Sequence, residues 1–490
     1  MHGYSNRVRR SYAKTTITFL VLSIGVIAAG QASAAGISSA RFGGEHGHPT
    51  TDNATAIYYN PAGLALSRGT HIFLDANLAL RSLEYDRPES AVSNPGLSDL
   101  NVAANSGKSS LFNPIVAPFA GVSSDFGTDF IAAGVAWYYP FGGSAVWDEN
   151  SKYKNTDAPG AVDGTQRWYS IDGTIRSMYI TGAVAFQIRE IDLSIGVSGS
   201  VIRSEVNTIR ARNADGTDDI QTGGDAPQLK EGRSRIDVSG WTGGFGIGLI
   251  WQPVRDMVWI GASYSSQPGV DGGETMEGEL ENVLGTGPSA ITKVEMTQNL
   301  PDIIRVGARV RPTPDSEIRL FADYTRWSLF DKQCVLDKSI SGRKCGFSGY
   351  DTALDNPESF GKDGDVKGVT QHLPRMWRDS VGVRLGGSYW FIPELEGVLG
   401  AGYDSSAIPP ETIDPALVDM DKVTLSAGLR WQAIENLAIN FAYTQVLYFE
   451  LDTDGKNQLN TYQAPTKQPS GEGVYSQSLS LFNLSLDISF

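Results

Sequence analysis

The chain has 490 residues, with 40 lysines and arginines against 55 aspartates and glutamates, a formal net charge of −15. That balance argues against nucleic-acid binding, which needs a basic face. Glycine is abundant at 55 residues and aromatics reach 10%, while the amphipathic helices expected of a soluble enzyme of this length give way to strand-like alternation.

At the N-terminus, Arg7, Arg9, Arg10 and Lys14 precede an apolar run over 16–29, and Ala32-Ser33-Ala34 places small residues at a cleavage site. Residues 1–34 are therefore predicted to be a secretory signal peptide. A membrane anchor is the competing reading, but the run is shorter than the roughly 20 residues that span a bilayer as a helix. Cleavage removes four positive charges and no negative ones, so −15 becomes −15 − 4 = −19.

Residues 35–70 are small, polar and turn-rich, and do not read as a strand. Ile37, Phe42, Ile57, Tyr58, Tyr59 and Leu64 give them something to pack with. His46 and His48 flank Gly47, but nothing nearby completes a metal site, so they read as loop histidines.

From residue 71 onward the dominant signal is alternation with period two. In 422–432, Val423, Leu425, Ala427, Leu429 and Trp431 share a face opposite Thr424, Ser426, Gly428 and Arg430. Fourteen such segments occur, at 72–80, 115–124, 130–139, 177–188, 192–202, 241–251, 257–265, 303–311, 317–325, 380–391, 396–404, 422–432, 436–447 and 477–490. Their lengths suit a tilted membrane strand of about 9–11 residues. Charged and tiny residues opposite apolar ones suit a wall between lipid and a polar lumen.

The connections alternate strictly between short turns and long polar loops, as between the periplasmic and external ends of an outer-membrane barrel. The fold class predicted is all-β: a 14-stranded antiparallel transmembrane barrel over 71–490, in the bacterial outer membrane. Such a barrel is too wide for its own side chains to fill, so residues 35–70 are predicted to fold into the lumen as a hatch. Cys334 and Cys345 fall in the external loop 326–379, where one disulfide is expected in an exported protein. The aromatics Trp137, Tyr138, Tyr139, Trp251, Trp259, Trp327, Trp377, Trp390, Tyr448 and Phe449 sit near segment ends and are read as interfacial girdles. The chain ends on Phe490, as many outer-membrane barrels do, a likeness that suggests recognition by the barrel-assembly machinery.

Several motifs, in order, resemble the FadL-type family of outer-membrane channels for long-chain fatty acids and other hydrophobic compounds: Asn60-Pro61-Ala62-Gly63-Leu64, Trp241-Thr242-Gly243-Gly244-Phe245-Gly246, Ser263-Tyr264-Ser265-Ser266, Asp323-Tyr324-Thr325-Arg326-Trp327-Ser328, Trp377-Arg378-Asp379-Ser380 and Gly402-Tyr403-Asp404-Ser405-Ser406-Ala407-Ile408-Pro409. The resemblance covers essentially the whole mature chain. It implies a hatch carrying Asn60, Pro61 and Ala62, and a lateral exit at a kink in the third strand, here Tyr139-Pro140-Phe141-Gly142. Proline cannot donate to a ladder, so a defect there is physically sensible, although Pro140 simply ending the strand fits equally well. It also implies Arg203 and Arg378 as partners of a ligand carboxylate, with Arg210, Arg212 and Lys230 competing for the role of Arg203.

The function expected is passive uptake of long-chain fatty acids or related hydrophobic molecules. An aromatic-hydrocarbon or alkane channel of the same family and a structural or adhesive barrel are the alternatives. A general porin has no use for a packed hatch, and no nucleophile–base pair of an outer-membrane lipase stands out, so no enzymatic activity, catalytic residue, metal or cofactor is expected. The partners expected are a hydrophobic ligand, outer-membrane lipid and lipopolysaccharide, on a monomeric barrel.

Overall fold

The computed structural model describes residues 41–270, 273–346 and 367–490. The expected signal peptide and the first residues of the hatch segment lie outside the described residues.

Among the described residues, nineteen strands form one antiparallel sheet. They are β1 (Thr70–Arg87), β2 (Gly107–Ser124), β3 (Ile131–Val146), β4 (Asp172–Ile188), β5 (Leu193–Arg212), β6 (Gly232–Val254), β7 (Val258–Ser265), β8 (Glu274–Val283), β9 (Ala290–Gln298), β10 (Ile303–Thr313), β11 (Ser316–Thr325), β12 (Lys332–Asp337), β13 (Val369–Pro374), β14 (Ser380–Ile392), β15 (Leu395–Asp404), β16 (Lys422–Ile434), β17 (Leu437–Tyr448), the short β18 (Leu451–Asp452) and β19 (Val474–Ser489). Five of them, β8, β9, β12, β13 and β18, belong to the long connections; the remaining 19 − 5 = 14 close a barrel in which β19 returns to β1, with His71 opposite Ser489. Each of the fourteen predicted segments has its barrel strand.

The strands differ from the prediction in length. The segment read as 192–202 is the inner part of β5, which has 20 residues, and β6 has 23. That is about twice what a tilted membrane strand needs. The outer halves stand beyond the bilayer, where polar residues such as Glu205 and Asn207 replace the apolar outward face, so the membrane signal stops before the strand does. The same loss of pattern hid the strands inside the loops at 266–302 and 326–379.

Across the bilayer, burial follows parity. Leu425, Leu429 and Trp431 of β16 are more than half exposed on the outside, while Thr424 and Ser426 are buried on the inside. A belt of exposed Leu, Ile, Val and Phe on this scale has no place in water and faces lipid. The girdle expectation holds for part of its set. Trp137, Trp251 and Phe449 point outward, but Tyr138, Trp259, Trp327 and Trp377 are buried, because strand parity or a loop turns them into the interior.

The long connections form a packed cap at the external end. Its buried arginines are paired: Arg87 with Asp218 at 2.6 Å, Arg167 with Glu231 at 3.0 Å and Arg375 with Asp414 at 2.8 Å. A helix, Asp99–Asn105, is tied in when Arg87 and Arg167 donate to its last carbonyls, at Asn105 and Ala104. Cys334 and Cys345 are joined as a disulfide, with Cα atoms 6.5 Å apart.

Candidate functional site

The hatch is built from short turns: 3-10 segments at Gly44–His46 and Pro61–Leu66 flank a single helical turn, Ala56–Tyr59. Asn60 caps the second 3-10 segment through Oδ1, which accepts from the Ala62 N–H at 3.1 Å. Pro61 follows at the first helical position, where its missing N–H costs nothing. The Asn60 amide also donates to the carbonyls of Pro49 at 2.8 Å, Leu249 at 3.0 Å and Ala262 at 3.3 Å. One fully buried side chain thereby clamps the hatch to itself, to β6 and to β7.

The barrel wall makes room for this seat with glycine. A Cβ at Gly248 would lie 1.9 Å from Asn60 Oδ1, one at Gly196 2.3 Å from the Ala62 nitrogen, and one at Gly261 2.4 Å from the Pro49 oxygen. Polar contacts complete the attachment. Asp75 accepts from the Gly43 N–H at 2.9 Å, His46 meets Glu396 at 3.1 Å, and Asp52 pairs with Arg309 at 3.0 Å.

External to the hatch lies a lumen cavity whose lining includes Tyr58, Tyr59, Trp327, Arg305, Arg384 and Lys422. A smaller cavity adjoins β3, lined by Tyr58, Tyr138, Phe141, Tyr179 and Ile303 among others, and Arg305 lines this one too. Most cations here are neutralised: Arg41 meets Glu45, Arg384 pairs with Asp323 and Asp404, and Lys422 pairs with Asp419. Arg305 is buried and has no carboxylate partner among the described residues. It donates to Ser265 Oγ at 3.2 Å and the Tyr58 carbonyl at 3.4 Å, and its guanidinium lies 4.6 Å from the Tyr58 ring centre.

The wall beside the smaller cavity is incomplete. β2 pairs with β1 along its whole length, but with β3 only from Phe119 to Ser124. β3 keeps its ladder to β4, with a register shift between Tyr138 and Phe141 that leaves Tyr139 and Pro140 unpaired before Phe141 resumes opposite Ser177 and Gly142 opposite Arg176. Residues 107–118 of β2 therefore have no β3 ladder. Their sequence suits an open edge. The Ser110 carbonyl accepts from the Asp148 N–H at 2.9 Å, so even-numbered positions of β2 turn their backbone groups toward the gap. Pro114 and Pro118 share that parity and have no N–H to offer. Side chains bridge the break: Asn113 donates to the Val146 carbonyl at 3.2 Å and accepts from its N–H at 3.1 Å, and the Ser110 hydroxyl donates to the Asp148 carboxylate at 2.7 Å.

Arg203 and Arg378 are not brought together and line neither cavity. Arg203 lies on the outward face of β5 over the Trp241 ring. Arg378 is exposed and pairs with Glu411 at 3.3 Å; β14 begins only at Ser380, so strand parity does not extend back to it. The orientation of Arg305 is legible from sequence, since it shares the polar face of β10 with Arg309. Its lack of an acidic partner is not.

A fourteen-stranded barrel with a lipid-facing belt, a seated hatch and a lumen cavity is an outer-membrane channel architecture. The chain belongs to the outer membrane protein transport family (OMPP1/FadL/TodX), whose model matches residues 17–490. Among relatives, a long-chain fatty acid transport protein of Escherichia coli O6:H1 is 25% identical over 210 residues, 41% of each chain. Among solved structures, a Pseudomonas aeruginosa FadL homologue superposes with a TM-score of 0.69 at 17% identity, covering 93% of this chain and all of the other. The Ralstonia pickettii toluene transporter TbuX gives 0.59 at 15% identity, covering 89% and 94%. The protein is thus an outer-membrane channel of a family that transports hydrophobic compounds.

Proposed function

We propose that this channel takes up amphipathic acids, long-chain fatty acids foremost, and releases them sideways through the break between β2 and β3. The observation that carries the reading is Arg305. A buried guanidinium without a carboxylate is costly to hold, and here it borders both cavities among aromatic rings. A fatty acid supplies what it lacks, a carboxylate for the charge and a tail for the rings. The unpaired edge of β2, Tyr139-Pro140 in the register shift and the adjoining cavity support lateral exit.

Transport of neutral monoaromatics is the second reading, favoured by the ring-lined cavity of Tyr58, Tyr138, Phe141 and Tyr179. The two are separated by measuring uptake of labelled oleate beside labelled toluene in a strain lacking its own fatty-acid channel. Oleate uptake that depends on Arg305 supports the first reading. Toluene uptake alone selects the second, and neither, from an assembled barrel, points to a structural role.

A further inference from the structure

The lipid-facing side of β6 marks where the bilayer lies. Trp241 and Trp251 stand ten residues apart on that face, with the exposed Phe245, Ile247 and Leu249 between them. At about 3.3 Å per residue and a tilt of about 40°, they are separated by roughly 25 Å across the membrane, the height of the apolar band between two aromatic girdles. Trp241 is the end nearer the cap, so it stands at the outer-leaflet interface. Arg203 is its cross-strand partner on β5, and its guanidinium lies 5.7 Å from the Trp241 ring centre. A charge at that level meets lipid headgroups.

Other exposed cations along the external part of this wall are neutralised within it: Lys108 pairs with Glu84, Arg176 with Glu205 and Arg235 with Asp237. Glu205 is two residues from Arg203 on the same face, but its charge is taken up by Arg176. Among the described residues, no carboxylate forms an ion pair with Arg203.

Toward the bilayer centre from Arg203 the wall is hollow. Across the β5–β6 ladder Val201 faces Gly243 and Gly199 faces Phe245. These four and Val270 are among the residues lining an open groove of about 450 Å³, within the roughly 300–1,000 Å³ of small-molecule sites. The ladder is continuous there, so the groove is a depression in the wall and not an opening. It exists because two side chains are missing. A Cβ at Gly199 would meet nothing within 4 Å, and one at Gly243 would meet only the Ser200 carbonyl oxygen at 3.6 Å. Neither residue has the positive φ that favours glycine, so neither backbone nor packing calls for glycine at these positions.

The needs of a lipid's two ends coincide here. An acyl chain lying along the groove covers Val201, Phe245 and Val270, and it brings the headgroup phosphate to Arg203, whose planar fork suits phosphate oxygens. The external leaflet of a bacterial outer membrane is built of lipopolysaccharide, an acylated and phosphorylated glycolipid, which makes that lipid the occupant. We propose that Arg203, Trp241 and the groove below them form a binding site for one lipopolysaccharide molecule, with its phosphate on Arg203 and an acyl chain over Gly199 and Gly243. The site does not depend on which compound the channel carries.

The test is titration of the purified full-length barrel with lipopolysaccharide, with bound lipid counted by native mass spectrometry. Wild type is expected to saturate at this site, and Arg203→Gln to raise the concentration for half occupancy by about ten-fold, the scale of one lost charge-assisted contact. Arg203→Lys falls between the two, because lysine supplies charge without the fork. Gly199→Leu fills the groove and weakens binding to a similar extent. It is expected to assemble, since a Cβ there meets nothing. Arg235→Gln removes an outward arginine that already has its carboxylate, and binds as wild type does. Lipid stripped of its phosphates binds wild type as weakly as intact lipid binds Arg203→Gln. Equal half-occupancy in wild type, Arg203→Gln and Gly199→Leu overturns the site. Equal weakening by Arg235→Gln also overturns it, by reducing the effect to general surface charge. Phosphatidylglycerol bound as tightly as lipopolysaccharide overturns the choice of lipid. If Arg203→Gln fails to assemble, Gly199→Leu and the dephosphorylated lipid on wild type decide the matter.

Discussion

The Asn60 side chain occupies the space that any side chain at Gly248 would need: a Cβ there would fall 1.9 Å from Asn60 Oδ1. Hatch and wall are therefore fitted residue to residue. Asn60→Ala removes the donor shared by the Pro49, Leu249 and Ala262 carbonyls, and leaving such groups unpaired costs about 1–3 kcal/mol. Gly248→Val reaches the same end by displacement. Both variants are expected to assemble, since the strand ladders do not pass through Asn60, and both are expected to expose the hatch to protease faster than wild type. Heat-modifiable migration on gels checks the barrel, and timed proteolysis checks the hatch.

Arg305→Gln keeps hydrogen-bonding capacity but removes the charge. Oleate uptake should fall at least about ten-fold, the scale of a charge-assisted hydrogen bond. Toluene uptake should stay within about two-fold of wild type, since a neutral ring loses no ion pair. Arg305→Lys should recover part of the oleate uptake, because lysine supplies a charge without the planar fork. Equal loss of both ligands would mean that the substitution closes the passage.

Asn113 bridges the break in the wall by bonding both backbone groups of Val146. Cysteines placed at 113 and 146 should cross-link under oxidation and hold the edges of β2 and β3 together. Uptake is expected to drop on oxidation and return on reduction, with wild type under the same reductant controlling for Cys334–Cys345. Uptake unaffected by a complete cross-link would remove this break from the exit route.

Acid should loosen the cap before the barrel. Burial pushes the Glu231 carboxyl upward, but the Arg167 and Arg233 guanidinium groups outweigh it and hold the group below the usual glutamate range. A carboxyl depressed in the folded state contributes stability that is fully present above its unfolded value, about 4.3. That contribution is lost as the pH falls through the lower folded value. Proteolysis of the external loops should therefore accelerate below about pH 4, and Glu231→Gln should flatten that dependence while weakening the cap at neutral pH.

The sequence by itself determined the barrel. Alternation has period two, so one ribbon cannot face lipid and lumen without writing both faces into the residue order, and the fourteen strands were legible for that reason. Segments outside the bilayer, such as β8 and β12, escaped because water does not demand an apolar outer face. The Asn60 motif was visible through family resemblance, but its three carbonyl partners come from residues up to 202 positions away, and no local pattern encodes them. The same holds for the charges. Parity can orient Arg305, and composition can count the acids. Which arginine lacks a carboxylate depends on where every other strand and loop brings its side chains, and only the tertiary structure decided that, among the described residues, no carboxylate pairs with Arg305 while Arg203 and Arg378 lie outside both lumen cavities.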